Sequence, residues 1–473
     1  MAKLPSPIQL FKKEYKIIGF LISLIVLSRL FFYRFIPLAD PFQFQHHLDR
    51  VWLKNNLWES IYNLHAQPPL FNFILGFILK IAPSGQEQII FSGFFLVIAL
   101  AIGGATYLLL RLFSLSPRIC FTVTLFYLLF PQERWLVYNI YLVVLLLIIS
   151  VLFLSQFFSE KKITYFILFF ISTSSIVLLR SFFNLFLWFV PISILIIWLI
   201  YKDKKLKNNI KRYVFVVILF FLITAMPYVK NYGRFGFLGS SSWAGLNLTH
   251  LTHYVSSQNL QKELEAGNIT AIQLIPDFSP PQIYYDYFKI KPYTGVMVLD
   301  ALLKSNGIPN YNNIIYIRAS EEYKRNFLVL ISEYPGAYAL AVLNEIYIFM
   351  GFTPYKFFST YPNWHVNQIT PNIFVNTTLA KIDTFVIPPL FLVVFSGALI
   401  WFIRALKSLF RGGNILKSGI IIFIIFNISY VFLIANFCEL GEANFMRSPI
   451  DVFIMLGFIL FLKSFFKKNN FYF

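Results

Sequence analysis

The chain has 473 residues, of which 58% are hydrophobic, 19% aromatic and only 13% charged, with a mean hydropathy of +0.67. Soluble domains carry about 25% charged residues, so this composition excludes a soluble fold and points to a polytopic membrane protein. The formal net charge of +19 is then a matter of where the bases fall between apolar segments.

Apolar runs near the ~20 residues that cross a hydrocarbon core recur along the chain. In order they are 17–36, 88–110, 119–131, 136–158, 163–179, 182–201, 213–229, 383–403, 418–437 and 448–466, which predicts about ten spans in an all-α bundle. The first run is longer than a signal-peptide core and lacks a small-x-small cleavage site, so it reads as a retained helix. Cys120 and Cys438 lie in or beside apolar runs and behave as small hydrophobes, with no disulfide, zinc or thiol-catalysis signal.

Placing the N-terminus in the cytoplasm puts Lys3 to Lys16, Arg111, Arg118, Lys161, Lys162, the Lys202–Arg212 cluster, Arg404 to Lys417 and Lys463 to Lys468 on the inner side. That side then holds 21 of the 40 bases and three acids, Glu14, Glu160 and Asp203. Nearly all of the excess charge lies there, as the positive-inside rule requires, so the charge reports topology rather than nucleic-acid binding. The basic loops also suit anionic lipid.

With this topology the long polar segments 37–87, 230–382 and 438–447, and the short loop at Glu133, face outward. The expected organisation is an N-terminal transmembrane module over 1–229 containing the juxtamembrane loop 37–87, an outer cap over 230–382, and C-terminal transmembrane helices over 383–473. Segment 230–382 is too long for a simple connector and is expected to fold as a small helical cap. Within it Ala337–Gly351 is apolar yet carries Asn344 and Glu345, which suits an interfacial or re-entrant helix better than a span.

The strongest chemical signal is the loop after the first span. Val51, Trp52, Leu57 and Trp58 among polar residues predict a helix along the membrane surface, with Asp49 at its N-terminus. There the helix dipole favours an ionised carboxylate, whether it acts as a cap or as a base. The stretch continues to His65-Ala-Gln-Pro-Pro-Leu, with Asp49 preceding Pro68 by 19 residues and Asp40 preceding it by 28.

This arrangement resembles the GT-C superfamily of polyprenyl-phosphate-sugar glycosyltransferases, which includes protein O-mannosyltransferases, lipid A aminoarabinose transferases and a broad bacterial group of membrane sugar transferases. The likeness extends through Phe130-Pro-Gln-Glu-Arg-Trp, Leu179-Arg-Ser-Phe-Phe-Asn, Lys230-Asn-Tyr-Gly-Arg, Ser241-Ser-Trp-Ala-Gly-Leu-Asn and Gly441-Glu-Ala-Asn-Phe-Met-Arg. It departs at the first motif, where such proteins often carry paired acids and Asp49 is followed by Arg50. The resemblance implies inverting displacement at an anomeric carbon, in which a carboxylate takes the acceptor proton and the lipid phosphate leaves.

In that reading Asp49 is the base, Asp40 its rival, and Glu133 a second acid in the same cavity or half of a Glu133–Arg134 anchor. Arg180 is the first choice for the phosphate, with Lys230, Arg234 and Arg447 as alternatives to a topology-anchor role. His65 would bond donor phosphate or acceptor, or cap a helix; Trp243, Asn247, Trp364 and His365 would stack on or bond a sugar. No cofactor is required: His46, His47, Asp49 and His65 would form a divalent site only if they converged, and adjacent histidines on a helix diverge.

The expected partners are a polyprenyl-phosphate-linked sugar donor, a glycan, lipid or protein acceptor, and membrane lipid. An O-antigen-type polymerase or ligase, or a polyprenyl-linked glycan transporter, is the alternative. The former would depend on arginines and histidine of the late outer loop, the latter on repeated halves and broken mid-membrane helices. The Asn-x-Ser/Thr sites at Asn247, Asn268 and Asn376 would be glycosylated in an endoplasmic reticulum, whereas a bacterial inner membrane is the expected location.

Overall fold

The structure, a computed structural model, describes residues 6–33, 40–129, 139–203, 205–350, 387–410, 415–438 and 443–468. Among them the fold is helical, with one isolated β-bridge between Leu303 and Pro309. Among the described residues six helices are long and apolar enough to cross a membrane: Glu87–Leu112, Ile140–Glu160, Leu185–Lys202, Lys207–Phe235, Gly419–Phe437 and Phe445–Phe466. The protein is a helical, multi-pass membrane protein.

Residues 17–33 of the first predicted run lie in α1 (Pro7–Tyr33), which begins ten residues earlier, and 34–36 lie outside the described residues. Glu14 breaks the helical geometry inside α1 (φ −119°, ψ 17°), and its buried carboxylate accepts from Tyr107 Oη at 2.6 Å and Arg111 Nε at 2.9 Å. After α1 come two short helices, α2 (Arg50–Asn55) and α3 (Leu57–Tyr62), then α4 (Pro69–Ile81). The predicted surface helix is thus broken at Asn56, whose backbone leaves the helical region (φ −124°, ψ 54°).

Next are α5 (Glu87–Leu112), α6 (Pro117–Leu129), α7 (Ile140–Glu160) and α8 (Ile163–Leu179). Then α9 (Val190–Lys202) is preceded by a wide turn at Leu185–Phe189 and followed by α10 (Ile210–Phe235). Lys161 takes a left-handed conformation (φ 59°) that reverses the chain between α7 and α8, which then pack along each other. Phe157, Phe166 and Phe170 of this pair meet Tyr213 of α10 and Phe189, filling the core with edge-to-face and tilted aromatic contacts.

Gly236 ends α10 with φ +76°, a conformation glycine adopts without Cβ strain, and turns the chain into the cap. The cap holds α11 (Ala244–Thr249), α12 (Ser257–Glu265), α13 (Pro281–Phe288), α14 (Met297–Asp300), α15 (Ile315–Glu333) and α16 (Pro335–Met350). α15 and α16 meet at a bend of 105°, so α16 turns off as an apolar limb against the bundle rather than continuing straight. Residues 351–386 lie outside the description; the chain resumes with α17 (Ile387–Phe410), α18 (Ile415–Phe437), α19 (Ala443–Arg447) and α20 (Asp451–Lys468).

Of the remaining predicted runs, 119–129, 163–179 and 387–403 fall on α6, α8 and α17, whose apolar stretches are shorter, while 130–131 and 383–386 lie outside the described residues. The Glu14–Arg111 and Lys161–Asp203 pairs both lie at the end of the bundle away from the cap. At the other end, here termed the cap end, α10 and α18 finish, α9 starts and the cap sits.

Candidate functional site

The site is built from the loop 40–68, which short local caps shape and the cap then clamps. Asp40, in extended conformation, starts a single turn over Pro41–Gln43 by accepting from the Phe42 amide at 3.0 Å. Asp49 repeats the device on α2, its Oδ1 accepting from the amides of Val51 at 2.7 Å and Trp52 at 3.2 Å. Pro68 and Pro69 stand at the N-cap and first turn of α4, where a missing amide costs no hydrogen bond. Asn72 on that helix holds the Leu48 amide at 2.8 Å.

Long-range bonds then fix the loop's position. The tight hairpin around Leu303–Pro309 directs Lys304 Nζ to the Phe44 carbonyl at 3.0 Å, Asn306 Nδ2 to the Phe42 carbonyl at 3.0 Å, and the Ser305 amide to Asp49 Oδ2. Asn312 Oδ1 accepts from the amides of His65 at 2.9 Å and Ala66 at 3.1 Å, while its Nδ2 donates to Asn63 O at 3.1 Å. The Ser242 amide donates to His65 O at 2.9 Å, and Ser242 Oγ lies 2.8 Å from His65 Nδ1.

Between this clamped loop, the bundle and the cap lies a cavity of about 1650 Å³. The bundle side presents Arg180, Phe182, Asn184, Leu187, Tyr430 and Ile434; the loop presents Gln45, His46 and Gln67; the cap presents Ser240 to Gly245, Asn247, His250, Asp277, Phe278, Tyr311, Arg318, Glu321 and Lys324. Asn184 accepts from the amides of Phe186 at 2.8 Å and Leu187 at 3.2 Å and so starts the wide turn before α9 at the cavity edge. Tyr430 Oη fixes the same edge by donating to Phe182 O at 2.7 Å.

Four of the sequence-predicted residues come together here: Arg180, Arg234, Trp243 and Asn247. Arg180 is buried, its guanidinium 5.6 Å from the Phe445 ring centre. Arg234 donates to Asn63 Oδ1 and stacks 4.9 Å over Tyr62. Trp243 donates from Nε1 to Tyr311 O at 3.1 Å and packs against His46 and Phe278, with ring centres 5.2 and 5.0 Å away.

The others sit elsewhere. Asp49 is 1% exposed, is not among the cavity residues, and has both carboxylate oxygens occupied by backbone amides. Asp40 uses Oδ1 for the Phe42 amide, its one side-chain hydrogen bond among the described residues, and lies five positions before Gln45 of the cavity. His65 is fully buried rather than capping a helix, and burial pushes its imidazole down to about 3. Lys230 donates to Leu64 O beneath the loop. Arg447 bonds Asp451 at 2.8 Å and the Phe349 carbonyl, and lies 4.2 Å from the Phe391 ring, which makes it a helix anchor. Glu133, Arg134, Trp364 and His365 lie outside the described residues.

Electrostatically the loop is a basic, dehydrated region. Burial holds Lys304 down to about 7, partly opposed by the nearby Asp49 charge. Burial also pushes His47 down to about 3, and His46 well below its ordinary value with Arg180, His47 and Lys304 adding repulsion. Among the described residues no group of three or more His, Cys, Asp or Glu is placed to hold a metal ion.

Sequence reasoning missed Asp277, a half-buried carboxylate on the cavity wall. Burial raises its pKa, but the hydrogen bonds from His250 and His253 outweigh this and hold it well below the usual carboxylate range. No local motif signals this cluster, because 27 residues separate His250 from Asp277. Lys304 was equally hidden, since only its enclosure by residues 42–49 distinguishes it. Comparison with family models, curated proteins and solved structures gives no match to this chain.

Proposed function

We propose that the chain is an integral membrane glycosyltransferase that takes a sugar from a polyprenyl-phosphate donor, with the cap end on the outer membrane face. The observation that carries this reading is the large cavity where bundle and cap meet, which joins the buried Arg180 and the Arg234 guanidinium to Trp243 and a row of serines. The cations suit a leaving phosphate in a site shielded from water, and the tryptophan and hydroxyls suit a sugar.

Asp40 is the base in this proposal. Neither Asp40 nor Asp49 is among the cavity residues; the support for Asp40 is that it is partly exposed and accepts one backbone amide, whereas Asp49 is buried and accepts three. The acceptor O–H proton passes to the Asp40 carboxylate as the acceptor oxygen bonds the anomeric carbon. The bond from that carbon to the phosphate oxygen breaks, and the lipid phosphate departs with the electron pair.

The test is transfer of labelled sugar from a panel of polyprenyl-phosphate sugars by protein in lipid, with and without chelator. Asp40→Asn and Arg180→Ala are expected to abolish turnover, while Asp49→Asn keeps specific activity in the fraction that folds and chelator has no effect. Absence of turnover with every donor would overturn the transferase reading. Transfer of a preassembled lipid-linked glycan that needs His250 and Arg318 but not Asp40 would replace it with the polymerase or ligase.

A further inference from the structure

The two walls of the cavity differ in chemistry. The bundle wall offers Phe182, Leu187, Tyr430 and Ile434 around Arg180, with Arg234 at the end of α10, a surface for a lipid-borne phosphate. The cap wall includes one face of α15, where Ile317, Arg318, Glu321 and Lys324 follow Ile314 at the N-cap at helical spacing and line the cavity. The opposite face, with Tyr316, Tyr323 and Leu330, is buried in the cap.

The charges on this wall are unevenly compensated. Asp277 is taken up by His250 and His253, and Glu321 faces Arg325 at 3.9 Å. Arg318 and Lys324 make no ion pair with any described residue. Arg318 is nonetheless held in place, its guanidinium 4.3 Å from the Phe288 ring centre. Six residues of helix set the two cations about 9 Å apart along the axis, the reach of one or two sugar rings.

We propose that this cap wall is an acceptor subsite selective for an anionic saccharide, whose carboxylate or phosphate is held by Arg318 and Lys324. The inference rests on the transferase reading for its name as an acceptor site. The recognition itself depends only on the wall: a planar guanidinium pairs two oxygens of a carboxylate or phosphate at once, and Lys324 adds a point charge. Glu321 between them opposes the anion, so its removal tightens binding.

The test is binding of three probes, a galacturonic acid trimer, glucose 6-phosphate and maltotriose, to the full chain in phosphatidylcholine nanodiscs without donor. The acidic probes are expected to bind at least about tenfold more tightly than maltotriose, the worth of one charge-assisted hydrogen bond. The stronger of the two acids tells carboxylate from phosphate. Arg318→Gln with Lys324→Gln removes the preference, Arg318→Lys keeps part of it, and Glu321→Gln increases it. All three side chains are exposed, so these variants fold.

Equal binding of neutral and acidic probes, no binding of either acid, or a preference that survives the double variant would overturn the proposal. So would loss of acid binding in nanodiscs containing phosphatidylglycerol, which would assign the cations to a lipid headgroup. Arg180→Ala separates this inference from the transferase reading: it removes sugar transfer and leaves acidic-probe binding intact.

Discussion

Asp49→Ala tests whether this carboxylate holds the loop together. Asp49 is 1% exposed and accepts two amides of its own helix and the Ser305 amide from across the structure. Losing an N-cap costs about 1 kcal/mol. Losing a further hydrogen bond to a charged acceptor costs about 1.5–3 kcal/mol, so the substitution is expected to remove about 3 kcal/mol. It also takes away the carboxylate that partly offsets the burial of Lys304. Asp49→Asn keeps an oxygen for Val51 and Trp52 but cannot serve Ser305 with the same charge, so it falls about halfway, near 1.5 kcal/mol. Unfolding in mixed micelles of rising dodecyl sulfate fraction, followed by tryptophan fluorescence, measures both. An Asp49→Ala protein that unfolds with the wild-type midpoint yet transfers no sugar would refute this reasoning and return the base to Asp49.

Three further outcomes follow from the same structure. Lys304 titrates at about 7 in the fold against an ordinary 10.5, so between these values the unfolded chain binds the extra proton and stability rises with pH, by up to about 1.4 kcal/mol per unit. Micelle unfolding at pH 7 and pH 9 should show that rise in the wild type and a flatter response in Lys304→Met. Gly245→Ala should abolish folding of the cap, because a Cβ there would sit 1.7 Å from the Ser320 carbonyl oxygen, a backbone atom; loss of a monodisperse peak on size exclusion reads this out. Asn312→Ala removes three hydrogen bonds to the loop 63–66 and should cost about 3 kcal/mol, with protease cleavage appearing in that loop.

The transmembrane character of this protein was written in its sequence, because helix formation in lipid follows from local apolarity and the need to satisfy every backbone amide within one segment. The apolar runs became helices, and the oddly polar run at Asn344 and Glu345 became the limb that bends away at 105°. The position of Asp49 at a helix start was legible as well, since capping is a contact of near neighbours. What it bonds beyond its helix was not: Ser305 lies 256 residues away, and only the folding of the cap onto the loop brings its amide to the second carboxylate oxygen. The same long-range closure separated Arg180 and Arg234, which face the cavity, from Arg447 and Lys230, which serve as anchors though their sequence surroundings look alike. It also assembled Asp277 with His250 and exposed one face of α15 to the cavity. Sequence sets which groups are available, but burial and partner arise only when distant segments pack, so the roles of individual charges were decided by the tertiary structure alone.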